Sequence, residues 1–76
     1  MIEELDTVVL LRSVKEHGLE QGDIGAVVHR YAGEQDAYEV EFVTGKGQTV
    51  AVLTLHRDEI RPMDQHEILH AREIAA

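Results

Sequence analysis

His66-Glu67-Ile68-Leu69-His70 is the stretch whose residue types and spacing could do chemistry. On a helix, residues i and i+4 share a face, so both imidazoles could grip one Zn²⁺ while Glu67 polarises a water. Glu73 lies three residues further along that face and could complete a three-ligand set. The alternative function that follows is a zinc-dependent hydrolase using His66, Glu67 and His70. Two features weigh against it. The motif stands near the end of the sequence, with nothing after it to build a substrate cleft, and Glu67 already has a local role as a helix-capping residue. The expectation is therefore no cofactor and no functional metal site, with adventitious metal at His66 and His70 as the most that the spacing supports.

Other reaction types find fewer residues. There is no Cys, Ser13 is the single Ser, and the loops are too short to bury a triad. Gly45-Lys46-Gly47 has no helix after it and is not a phosphate loop. His17, His29 and His56 are scattered and read as surface or rim residues. Glu39 and Glu41 fall on an open strand face, where burial would not perturb them. No enzyme is expected.

Seventy-six residues make one small domain, which buries only about 60–65% of the surface its unfolded chain exposes. Without disulfides, cohesion has to come from core packing or a partner. Fifteen acidic residues stand against seven Lys and Arg, a formal net charge of −8. That field repels nucleic-acid phosphates and anionic lipid and attracts cationic partners. The first residues are acidic and lack an apolar signal region, and no apolar run approaches a membrane span. A cytoplasmic protein with no membrane partner is expected.

The elements that must position these residues read mainly as β. Thr7 to Leu11 is a β-branched and apolar run, a buried first strand. Arg12 to His17 is a polar loop. Glu20-Gln21-Gly22-Asp23 has turn chemistry: Gly22 supplies a positive φ, and Asp23 can fold its carboxylate onto nearby backbone N–H groups. Gly25, inside the second strand Ile24–Tyr31, marks a bulge or a close backbone approach. A polar loop, Ala32 to Asp36, closes that strand.

Ala37 to Val43 alternates, with Tyr38, Val40 and Phe42 on the core face and Glu39 and Glu41 opposite. Thr44-Gly45-Lys46-Gly47 turns the chain into a fourth strand, Gln48 to Leu55. With Thr44 and Gly47 flanking the turn, Val43 faces Gln48, Phe42 faces Thr49, Val40 faces Ala51 and Tyr38 faces Leu53. The other face then sets Glu41 beside Val50 and Glu39 beside Val52, a mixed acidic and apolar strip. His56 to Ile60 suits a 3₁₀ turn, and Arg61-Pro62-Met63 a short edge strand. Asp64 and Glu67 form a capping box, and Met63 and Ile68 a hydrophobic staple. These signals predict a helix from Gln65 to about Ile74, with Ile68, Ala71 and Ala75 on one stripe. The expected organisation is a barrel over 1–63 and a helical extension over 64–76.

Five short strands, a glycine-containing second strand and a 3₁₀ turn before the last strand resemble an SH3-like small five-stranded barrel, here with a short C-terminal α-helix. The blocks Glu4–Leu10, Gly18–Val28, Tyr38–Phe42 and Ile60–Pro62 resemble, over about 3–62, a bacterial family of small stand-alone proteins catalogued only as a domain of unknown function. That resemblance implies an SH3-like fold and no established activity. Some members are suspected, from gene neighbourhood, to be antitoxin or immunity partners, and no catalytic residues transfer. Gly22 to Val27 also resembles the glycine-and-valine motif of RNA-binding ribosomal and transcription-factor barrels, but residues 18–28 contain no Lys or Arg.

The function expected is a non-enzymatic protein-interaction module, antitoxin- or immunity-like or accessory, that binds a cationic partner protein. Its surface would comprise Glu39, Glu41, Val50, Val52 and the helix residues Ile68 and Leu69. The terminal helix could fold back on its own barrel or pack on a neighbour's, and a homodimer is expected, because a small core gains from added buried area. A nucleic-acid-binding barrel is the remaining alternative, disfavoured by the charge.

Overall fold

A computed structural model describes residues 2–33 and 36–74; Met1, Glu34, Gln35, Ala75 and Ala76 lie outside the described residues. Two expectations fall partly there, the tip of the loop after the second strand and the end of the stripe at Ala75.

Five strands form: β1 Thr7–Leu10, β2 Ile24–Tyr31, β3 Ala37–Val43, β4 Thr49–His56 and β5 Ile60–Pro62. They make one antiparallel sheet in the order β4-β3-β2-β1-β5. The expected closed barrel is not formed. Closure needs a ladder between the two outermost strands. β5 is three residues long, spends its pairing on β1, and ends at Pro62, which has no N–H to donate. A hydrogen-bonded turn over Arg57–Glu59, with the Glu59 N–H 2.8 Å from the His56 carbonyl, carries the chain from β4 to that far edge. Regular 3₁₀ geometry occurs instead at Lys15–His17, inside the expected loop, and Gly18 ends it at φ 70°.

The core gathers on one face of the curved sheet. Val8, Leu10, Val27, Tyr38, Val40 and Ile60 are its fully buried side chains. Burying one such apolar side chain contributes about 1.5–3 kcal/mol. Gly25 sits where the strands come closest: a Cβ there would stand 2.6 Å from Val40 Cγ1 and 2.9 Å from Phe42 Cε1. The close approach read from the sequence is real, and the bulge lies nearby at Val28, between the pairs Val27↔Val40 and His29↔Glu39.

The β3–β4 register differs from expectation by two residues. Tyr38 faces Leu55, Val40 faces Leu53 and Phe42 faces Ala51, while Val43 faces Thr49. Val50 is the extra residue of a bulge on β4. The turn is also wider than expected, with Thr44 N–H on the Gln48 carbonyl and Gly47 N–H on the Thr44 carbonyl, both 2.8 Å. From Ala51 onward a shift of two keeps each side chain on its face, so the apolar alternation could not detect it; Val50, the bulge residue, changes face.

The C-terminal helix is absent. Its start signal nevertheless forms: the Asp64 N–H meets Glu67 Oε1 at 2.7 Å, and the His66 N–H meets Asp64 Oδ1 at 2.8 Å. One turn closes, Glu67 N–H to Asp64 carbonyl at 3.0 Å, and residues 68–74 then run without regular structure. Helix nucleation costs more than a single turn returns, and a helix this short needs a docked apolar face. Ile68 is 93% exposed, so neither staple nor docking is made.

Candidate functional site

Two surfaces gather the residues with chemical potential. The first is the outer face of β2, β3 and β4. The strand registers place Ala26, Glu41 and Val52 in one row, and His29, Glu39 and Thr54 in the next. The acidic and apolar strip therefore exists with different neighbours: Glu41 beside Val52 and Glu39 beside Thr54. Val50 is not part of it, because the bulge turns Val50 to pack against the core. Val52 is 46% exposed, and Val28 and Val43 are comparably open. Glu39 and Glu41 are half-buried. Each accepts a hydroxyl hydrogen bond from β4, Glu39 from Thr54 and Glu41 from Thr49, the latter at 2.7 Å. Ile68 and Leu69 are exposed on the tail, away from any helix face.

The second surface centres on Asp23, whose turn forms as its sequence predicts. Gly22 has φ 97°, the Asp23 N–H meets the Glu20 carbonyl at 3.0 Å, and the Glu20 N–H meets Asp23 Oδ2 at 2.8 Å. The sequence did not show what else this carboxylate does. Arg72 forks onto it, Nε to Oδ1 at 2.8 Å and Nη2 to Oδ2 at 2.5 Å. The same Nη2 donates to the Gly18 carbonyl at 2.8 Å, and His70 Nε2 lies 3.3 Å from Asp23 Oδ1. Ile74 rests 3.7 Å from the point where a Gly18 Cβ would be. Asp23 is 8% exposed. Burial pushes its carboxyl up, but the Arg72 fork, the Glu20 N–H, the Arg72 charge and His70 together hold it below the ordinary Asp range.

Between this clipped tail and the β3–β4 hairpin runs a groove of about 840 Å³, whose lining includes Leu19, Ile24, Phe42, Val50, Lys46 and Arg72. Apolar walls with a few charged groups suit binding. Asp23, at the end of that turn, thus borders a groove of which the protein's own tail forms one wall.

The zinc motif does not assemble as the sequence allows. Without a helix, His66 and His70 share no face. His66 Nδ1 stands 3.3 Å from Asp64, while His70 turns to Asp23. Arg61 holds Glu67 by two bonds, 2.7 and 2.6 Å, and this fork, with the Asp64 N–H, draws the Glu67 carboxyl down to about 2. Among the described residues, no three His, Asp or Glu side chains gather in a cation cage. Arg12 engages Glu59 through one oxygen, with Nε 2.7 Å and Nη2 2.5 Å from Oε2. Three arginines are thus held by the protein's own carboxylates, at Glu59, Glu67 and Asp23.

Fold and surface together define a small open-sheet β domain with an acidic outer face and an ionically clipped tail. The chain belongs to the family described as Domain of unknown function (DUF4926), whose model matches residues 4–62. The match spans all five strands and stops before the tail that carries His70 and Arg72. No curated protein and no solved structure matches the chain. Among the described residues, no helix is long and apolar enough to cross a membrane.

Proposed function

We propose that this chain is a non-enzymatic interaction module whose outer β2–β3–β4 face receives a cationic partner protein, in the manner of an antitoxin, immunity or accessory protein. The observation that carries the reading is the pairing on that face of Glu39 and Glu41 with exposed Val52, Val43 and Val28. Apolar contact supplies the non-directional attraction there, and the carboxylates choose the sign of the partner. The formal charge of −8 extends that preference over the whole surface and works against nucleic acid.

The test is capture on the immobilised chain with washes of rising salt, beside the variant Glu39→Gln/Glu41→Gln. The native chain should retain a basic protein that elutes as salt screens the contact, and the variant should lose it. Identical retention by both chains would remove this face from the reading.

A further inference from the structure

The two edges of the sheet are unlike. β5 is three residues, carries Arg61 and Pro62, and Arg61 is pinned to Glu67. Short length, proline and charge are how edges are protected from unwanted pairing. β4 has none of these. It is eight residues long, and from Thr49 to Leu55 it reads Thr-Val-Ala-Val-Leu-Thr-Leu, without a charge in a chain where 29% of residues are charged. Among the described residues, β4 pairs with β3 alone.

The hydrogen bonds at its end show which backbone groups are free. The His56 N–H goes to Glu59 Oε1 and its carbonyl accepts from the Glu59 N–H, both at 2.8 Å, so His56 points its backbone away from β3. Antiparallel ladders alternate inward and outward residues. Thr54 and Val52 therefore also aim N–H and C=O outward, and no backbone bond among the described residues meets them.

We infer that this edge pairs with β4 of a second copy of the chain, antiparallel about a two-fold axis, with Val52 of each copy opposite Thr54 of the other, clear of the bulge at Val50. The sheets would join into one. A partner strand without charges brings no unpaired charge to this edge, and β4 itself meets that condition. The approach also limits repulsion between two chains of −8. Three strand spacings, about 14 Å, separate Glu41 of one copy from Glu39 of the other in that register, beyond the screening length of about 8 Å at physiological salt. The element differs from the helix expected from sequence to build a dimer. The outer face stays open on both copies, so the inference stands apart from the cationic-partner reading.

Light scattering on the native chain should give twice the 8.5 kDa monomer mass. The dimer should strengthen as salt rises, opposite to the response of a cationic partner. Val52→Pro removes an N–H that the monomer does not use, so it should halve the mass and keep the native circular dichroism. In the native chain, the Val52 and Thr54 amides should exchange slowly, and faster on dilution to monomer. A native chain that is monomeric at all salts, or fast exchange at both amides, would overturn the inference. So would a Val52→Pro chain that folds and remains dimeric.

Discussion

The hairpin over residues 37–56 and the tail over 63–74 are built by opposite means. In the hairpin, a backbone ladder runs from Ala37↔His56 to Val43↔Thr49, and alternate side chains enter the core. In the tail, residues 68–74 make no helix and no strand. Side-chain charge places them: Arg72 on Asp23, and Glu67 under Arg61. The first mode is distributed over many contacts, and no single deletion dominates it. The second rests on a few ionised pairs, so it answers to pH and to point substitution. Order in this small protein comes from two sources that fail separately.

The largest effect should come from breaking the strand side of that contrast. Gly25→Val sets a branched side chain where even a Cβ would lie 2.6 Å from Val40 Cγ1 and 3.0 Å from the Glu41 carbonyl. Overpacking there should cost about 3 kcal/mol, a large share of the margin of a domain this size. Chemical denaturation is the measurement, and a loss below about 1 kcal/mol would show that β2 and β3 can part without harm.

A middle-sized effect belongs to the tail clip. Arg72→Ala removes the guanidinium that holds the tail on Asp23 and should lower stability by less than Gly25→Val does. Proteolytic cuts should appear within 63–72 while the strand amides keep their protection. Protection lost across the whole sheet would mean that the two regions are one cooperative unit.

The smallest effect sharpens the difference through pH. The folded state lowers the carboxyls of Asp23 and Glu67, and each group therefore adds stability that is present above its ordinary value near 4. That contribution disappears as pH falls through the folded values, for Glu67 between 4.5 and about 2. Acid titration should release the tail first, read as tail proteolysis, and Glu67→Gln should flatten the part of that curve due to Glu67. No acid sensitivity in the tail would show that these pairs do not hold it.

Local chemistry made much of the sheet legible. Alternation from Ala37 to Val43 and glycine at position 22 are signals read within a few residues, and both describe the structure. The register escaped because a bulge at Val50 leaves the two-residue period of β4 intact beyond it. The tail escaped for a deeper reason. Asp64 and Glu67 form their reciprocal bonds, yet such a box specifies how a helix begins and not whether one continues. What decides the path is a bond between residues 49 positions apart, which no local pattern encodes. Asp23 stood out as a turn residue; its second role had no signal beyond the presence of distant arginines.

The Asp23–Arg72 contact also sets a threshold for competitors. Arg72 is tethered to the sheet by the short run of chain after Pro62, so Asp23 meets its guanidinium at an effective concentration in the millimolar range. A free arginine or a simple cation below that level finds the carboxylate taken. A ligand that grips the groove and the carboxylate at once is not subject to that limit. Tethering alone thereby sets the concentration that a competing small cation must exceed to free this carboxylate.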